Sequence, residues 1–251
     1  MFSIEIECPP EQNDMLIAEL WAEGSAGIVE LDGGRLRAFF EDGADRVELA
    51  GRFHAVSRRR EEQRDWVAMS RANWEPLLVG ERFFLVPEWR SDPAPEGRLR
   101  IAVNPGMAFG TGVHETTQLC LEALEEFVKP GDRVLDVGTG SGILARAAAL
   151  LGAGKVYACD IDPVAVEIAG NGFVGSVNAV AASSVDLVVA NISPEAIVQI
   201  APDLVRVLRP NGILLASGLE IPEVEQVKAA LPPNREVRSK GNWALIVTST
   251  Y

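Results

Sequence analysis

The chain has 251 residues, 47% of them hydrophobic and 24% charged, with a formal net charge of −13. That length suits one large domain or two modest ones, and the excess of acid argues against duplex nucleic acid, which wants a basic surface, in favour of a basic protein partner. No apolar run reaches membrane-spanning length, and the N-terminus carries Glu5 and Glu7 where a signal peptide needs basic residues, so the chain is expected in the cytoplasm.

Three cysteines, Cys8, Cys120 and Cys159, are odd in number, far apart and without a Cys-x-x-Cys pair, so neither a disulfide framework nor a metal site is expected. Residues 3–7 alternate at period two, Met15, Leu16, Leu20 and Trp21 fall at helical spacing, and strands at 27–31 and 35–39 flank the turn Asp32-Gly33-Gly34. A short helix at 45–51 and a strand at 53–58 complete the order βαββαβ, which predicts a small ferredoxin-like α+β domain over residues 1–60. That domain carries no catalytic motif. His54 is isolated, and a lone His is more often a surface or packing residue, so binding or architecture is the expected role.

Residues 61–90 are expected to form a helical linker: 61–76 reads as a helix interrupted by Pro, where Trp66, Met69 and Trp74 read as packing residues, and 82–86 as a strand, before a Pro-rich loop at 90–98. From Leu99 onward strands and helices alternate. Strands are expected at 99–103, 132–136, 156–160, 173–177, 185–190, 212–217 and 243–249, and helices near 115–128, 142–152, 163–170, 194–208 and 222–231. This alternation predicts a doubly wound α/β sheet in a domain spanning 91–251, with its site at the carboxyl ends of the strands.

Asn104 to Thr117 is Gly-rich and polar before it enters an amphipathic helix. One cap needs one hydroxyl, whereas this stretch offers Thr111, His114, Thr116 and Thr117 with three glycines, so a ligand-covering loop is expected beside the capping role.

The run Asp136-Val-Gly138-Thr-Gly140-Ser-Gly142 lies between a buried strand and an Ala-rich helix. Glycines there let a ligand approach the backbone, and the helix N-terminus offers free N–H groups to an anion. Asp160, at the end of the next strand, is placed to accept both hydroxyls of a ribose. Ile143 stands where the dinucleotide fingerprint G-x-G-x-x-G needs its last glycine, so NAD loses ground. Further on, the strand Val185–Ala190 ends on Asn191, and Pro194 opens the next helix where its missing N–H costs little. Asn191 is thus either a cap for that helix or a group facing the site.

The pattern D-x-G-x-G-x-G resembles motif I of the class I S-adenosylmethionine-dependent methyltransferases. Together with Phe-Gly-Thr-Gly-x-His-x-Thr-Thr at 109–117, Leu-Gly-Ala at 151–153, Asp-Ile-Asp-Pro at 160–163 and Val-Val-Ala-Asn-Ile at 188–192, it resembles the bacterial methyltransferases of ribosomal protein eleven of the large subunit, the PrmA type. The likeness covers essentially the whole chain. It implies a class I methyltransferase domain preceded by a ferredoxin-like substrate-recognition domain, S-adenosylmethionine as cofactor, and methylation of lysine side chains and the N-terminal amine of that ribosomal protein.

Carried over by position, the family's cofactor contacts fall on Thr117, Gly138, Asp160 and Asn191. The loops around them extend the expected cofactor-binding set to Phe109, Gly110, Thr111, Asp136, Gly140 and Ile161, and Asn191 and His114 are the expected catalytic residues. Another acceptor, or a non-catalytic or NAD-dependent binder on the same fold, are the alternatives. Two departures stand out: Ser193-Pro194 follows Ile192 where Leu is usual, and the stretch 162–186 is shorter than the family norm. The second implies a truncated crossover helix or a missing segment.

Overall fold

A computed structural model describes residues 2–8, 16–17, 19–20, 23–25, 27–31, 34–40, 46–60, 75–104, 114–170 and 172–250. The chain divides into two compact units, residues 1–73 and 74–251.

The first unit holds strands β1 (Phe2–Glu7), β2 (Gly27–Leu31), β3 (Arg35–Phe40) and β4 (Ser57–Arg60), with helix α1 (Arg46–Arg52). The strands pair antiparallel in the order β2-β3-β1-β4, the order of the expected ferredoxin-like sheet. Period-two alternation sends Phe2, Ile4, Ile6, Leu36, Ala38 and Phe40 to one face, where they pack with Leu20, Leu49 and Phe53. On the other face Glu5 is nearly buried and pairs with Arg37, whose hydrogen bond holds the carboxyl below its usual range. The last strand starts later than the expected 53–58, because Phe53 to Val56 turn the chain and the Val56 amide donates to the Glu5 carbonyl at 2.8 Å. The helix expected across 11–23 is described only at 16–17 and 19–20, and Trp66, Met69 and Trp74 lie outside the described residues.

The second unit opens on a small sheet of β5 (Leu77–Val79), β6 (Phe83–Pro87) and β7 (Leu99–Val103). This corrects one expectation: β7 does not belong to the large sheet. β6 is the strand expected at 82–86, and the helix expected at 61–76 lies outside the described residues save Glu75 and Pro76 at its end. Three residues of β5 are too few to show a period, and β7 buries alternate residues Ile101 and Val103, a pattern that cannot name its sheet. The Glu125 carboxylate ties this small sheet down, accepting from the Glu81 and Arg82 amides at 2.9 Å each.

The large sheet contains β8 (Arg133–Val137), β9 (Lys155–Asp160), β10 (Phe173–Val174), β11 (Val185–Asn191), β12 (Leu208–Glu220), β13 (Asn234–Lys240) and β14 (Trp243–Ser249). The helices are α2 (Glu115–Phe127), α3 (Ile143–Leu150), α4 (Pro163–Ala169), α5 (Pro194–Arg206) and α6 (Val224–Ala230). Strand order is β10-β9-β8-β11-β12-β14-β13, parallel from β10 to β12 and antiparallel at β14 and β13. Both faces are covered. Val134, Leu187, Val189, Leu215, Leu245 and Val247 pack with residues of α2 and α3, while Leu135, Val137, Val188, Ala190, Leu214 and Ile246 pack with residues of α5 and α6. Burial on both sides is why Leu187–Ala190, Leu214–Ala216 and Ala244–Val247 read as continuous apolar stretches rather than alternating ones. The order reverses between β8 and β11, which places the crevice for a ligand at their carboxyl ends.

The short stretch after Asp160 closes as a truncated helix. Asp162 caps α4 by accepting from the Val164 amide at 2.8 Å, Pro163 opens the helix, and Gly170 at φ +74° ends it after seven residues. β10 is then two residues, not the expected 173–177, and pairs with Cys159 and Asp160. β13 was not expected at all: five of its residues, Asn234, Arg235, Glu236, Arg238 and Lys240, are charged or amide-bearing, which reads as loop. It is an edge strand, and its charges find α2, with Lys240 to Glu122 at 2.8 Å and Arg238 to Glu126 at 2.6 Å.

Candidate functional site

The turn from β8 into α3 is held by its own amides. Gly138 and Thr139 N–H groups both donate to the Cys159 carbonyl, at 2.9 and 3.1 Å, and Gly142 N–H donates to the Thr139 carbonyl at 2.8 Å. Gly138, Gly140 and Gly142 take φ of +71°, +51° and +73°, a region costly for residues with a Cβ. Since Gly142 has no side chain to cap α3, Asp136 caps it from the strand: its Oδ2 accepts from the Ala145 amide at 3.1 Å and from the Thr139 hydroxyl at 2.7 Å. Its Oδ1 is buried with no partner among the described residues. Burial pushes the Asp136 carboxyl up to about 6, against the pull of Thr139 and Ala145.

Asp160 faces the same loop. Oδ2 accepts from the Gly140 amide at 3.0 Å and Oδ1 from the Asp162 amide at 3.0 Å. Each oxygen is thereby fixed and keeps capacity for another donor, as two ribose hydroxyls require. Ile161 beside it is 81% exposed, an apolar surface at the strand end.

A second group comes from α2 and β11. His114 is the N-cap of α2, its Nδ1 accepting from the Thr116 amide at 3.3 Å and lying 2.8 Å from the Thr116 hydroxyl, while its ring meets Trp243 edge-on with centroids 4.6 Å apart. The capping reading of this segment therefore holds for His114 itself. Thr117 is buried, and its Oγ1 accepts from Asn191 Nδ2 at 3.4 Å. Asn191 does not cap α5: Ser193 does, accepting from the Ala196 amide at 3.3 Å. The unusual Ser193-Pro194 is thus a cap followed by a residue suited to a first helical turn.

Ile192 joins the two groups. A Cβ on Gly138 would collide with Ile192 Cγ2, and a Cβ on Gly218, at a bulge in β12 with φ +93°, would collide with the Ile192 backbone. Gly138 and Gly218 therefore leave room for Ile192, and they clamp the residue next to Asn191. Neither Gly218 nor Trp243 was singled out in the sequence. A glycine inside the apolar run of β12 is the signal that marks such a bulge or close approach. Phe109, Gly110 and Thr111 lie outside the described residues, as does all of 105–113.

Comparison with known proteins assigns the family. The model of the ribosomal protein L11 methyltransferase family, PrmA, matches residues 43–250. The chain belongs to this family. A ribosomal protein L11 methyltransferase of Symbiobacterium thermophilum is 42% identical over 242 residues, covering 90% of this chain and 76% of that protein. One from Pelotomaculum thermopropionicum is 45% identical over 183 residues, covering 68% of this chain and 59% of its own length. Among solved structures, a ribosomal protein L11 methylase from Lactobacillus delbrueckii subsp. bulgaricus superposes with a TM-score of 0.63 at 32% identity, over 71% of this chain and 100% of that one. Membership fixes the large sheet as a class I methyltransferase fold, in accord with its strand order.

Proposed function

We propose that this chain transfers methyl groups from S-adenosylmethionine to lysine side chains and the N-terminal amine of ribosomal protein L11, in the cytoplasm. One observation carries the reading: Ser193 caps α5, so Asn191 at the end of β11, at the reversal of strand order, is left to face the crevice that the glycine loop and Asp160 share. The residues present fit the cofactor. Asp160, with both oxygens anchored, accepts from the ribose; Ile161 offers an apolar face to the adenine; Thr117, Gly138, Gly140 and Asn191 line the methionine side, and the buried Asp136 holds the glycine loop and caps α3 behind it.

S-adenosylmethionine supplies a methyl group already activated on a sulfonium sulfur, so no acid is needed at the leaving atom. What remains for the protein is to position, desolvate and orient. The acceptor amine must be neutral, and a lysine with a reference pKa near 10.4 loses its proton more readily when removed from water. The Asn191 side-chain oxygen, with Nδ2 engaged by Thr117, accepts from the amine and aims its lone pair. His114, whose Nδ1 accepts from the Thr116 amide at the helix cap, positions the start of α2 and with it Thr117. Residues 1–60 recognise the substrate, and the net charge of −13 suits a basic acceptor.

The test is incubation with labelled S-adenosylmethionine and unmethylated L11. Label in L11 lysines and its N-terminus is expected. Tight cofactor binding with no label in L11 overturns the acceptor, and tighter binding of NAD than of S-adenosylmethionine overturns the cofactor.

A further inference from the structure

Arg146 occupies a place in α3 that its charge disfavours. It sits in the first turn of the helix, where the dipole opposes a cation, and burial draws the guanidinium below its usual value with only partial relief from Glu88. Its hydrogen bonds go to main-chain carbonyls: Nη1 donates to Ala102 at 3.0 Å, Nη2 to Ser141 at 3.0 Å and Nε to Gly142 at 3.4 Å. A locally unfavourable placement points to what the side chain holds.

It holds the glycine loop to β7. Ser141 and Gly142 are the end of the glycine loop. Ala102 belongs to β7, two residues before Asn104, where the segment carrying Phe109, Gly110 and Thr111 begins. The other side of that root is pinned by Glu88, whose amide donates to the Val103 carbonyl at 2.9 Å and whose carboxylate accepts from Asn104 Nδ2 at 2.6 Å. A guanidinium spans three carbonyls because its donors are fixed in a planar fork, which an ammonium lacks.

We infer that Arg146 is a positioning residue for cofactor binding, fixing the end of the glycine loop at Ser141 and Gly142 to β7 at Ala102 so that the loop is in place before the cofactor arrives. This rests on the proposed cofactor site.

The test uses the full chain with Arg146→Met, which keeps the aliphatic packing, and Arg146→Lys, which keeps the charge. Calorimetry gives the Kd for S-adenosylmethionine, steady-state assays on L11 give kcat and the cofactor KM, and thermal unfolding reports stability. Arg146→Met is expected to raise Kd and KM about tenfold with a smaller fall in kcat, and Arg146→Lys to weaken binding about threefold, between the two. A Kd within about twofold of wild type in Arg146→Met, even with a lowered Tm, overturns the inference. Should Arg146→Met not fold, a wild-type Kd in Arg146→Lys overturns it instead. Absence of binding by the wild type overturns the cofactor site and this inference with it.

Discussion

Ile192 stands against Gly138 so closely that a single methyl on the glycine would lie well inside van der Waals contact of its Cγ2. On its other side the Ile192 backbone lies where a Cβ of Gly218 would be, and its amide donates to the Ser217 carbonyl at 3.1 Å. Three adjacent strand ends, β8, β11 and β12, are thus locked through one residue, and the residue before it is Asn191. At Gly138 the glycine motif serves packing.

Gly218→Ala is therefore expected to damage activity and stability together. The alanine would be strained at φ +93° and would push the Ile192 carbonyl outward, a cost of about 2 kcal/mol or more. Displacing Asn191 by even part of an ångström lowers kcat by about tenfold or more, because the near-attack geometry is lost. Urea unfolding and kcat at saturating substrates check this; a fully active Gly218→Ala would show that β11 does not depend on the clamp.

Asn191 and Ser193 separate function from architecture. Asn191→Ala is expected to lower kcat more than tenfold, a barrier rise above about 1.4 kcal/mol, with a smaller effect on cofactor affinity. Ser193→Ala should leave chemistry nearly intact and cost about 1 kcal/mol of stability, the value of a lost N-cap. The reverse pattern, a stable and active Asn191→Ala, would reassign Asn191 to packing beside Thr117.

The strength of the sequence signal followed burial. β8 and β11 are buried on both faces, so the short apolar stretches Val134-Leu135 and Leu187–Ala190 could be read directly, as could the turn chemistry of Gly138 to Gly142. β13 escaped because an edge strand whose charges meet α2 carries almost no apolar period, and β5 because three residues hold none. In the site, Asp160 and Asn191 were legible from strand ends. Arg146 and Gly218 were not, since their partners are backbone carbonyls that sequence spacing does not reveal.

Asp136 gives a pH signature with a definite sign. Its carboxyl stands at about 6 in the folded chain against 3.8 for the free group, chiefly through burial, with Asp160 adding a repulsive charge and Cys120 and Cys159 neighbouring it. Between those values the folded state binds the extra proton, so this group's contribution is full below about 4 and is lost as pH rises through about 6. The scale is about 3 kcal/mol at 1.36 kcal/mol per unit. Carboxylates held low, such as Glu5 by Arg37, act with the opposite sign, so the measurement is a difference. Asp136→Asn should remove the fall in stability between pH 4 and 6; identical pH profiles for the two proteins would place the Asp136 pKa elsewhere.

Domain dissection tests the role of the first unit, and the small sheet dictates where to cut. A fragment begun near Arg90 would delete β5 and β6, Phe83 and Leu85 among them, and uncover Ile101 and the residues of α2 and α3 in the same core, so the cut belongs before Leu77, at Glu75. That fragment keeps the glycine loop, Asp160, Thr117 and Asn191 and should bind S-adenosylmethionine within about threefold of the full chain. Its kcat/KM on intact L11 should fall by about tenfold or more, because binding energy from residues 1–60 is lost to the transition state. The loss should shrink on a short lysine peptide, which cannot engage the first unit in either protein. Equal kcat/KM for fragment and full chain on intact L11 would move substrate recognition into the second unit.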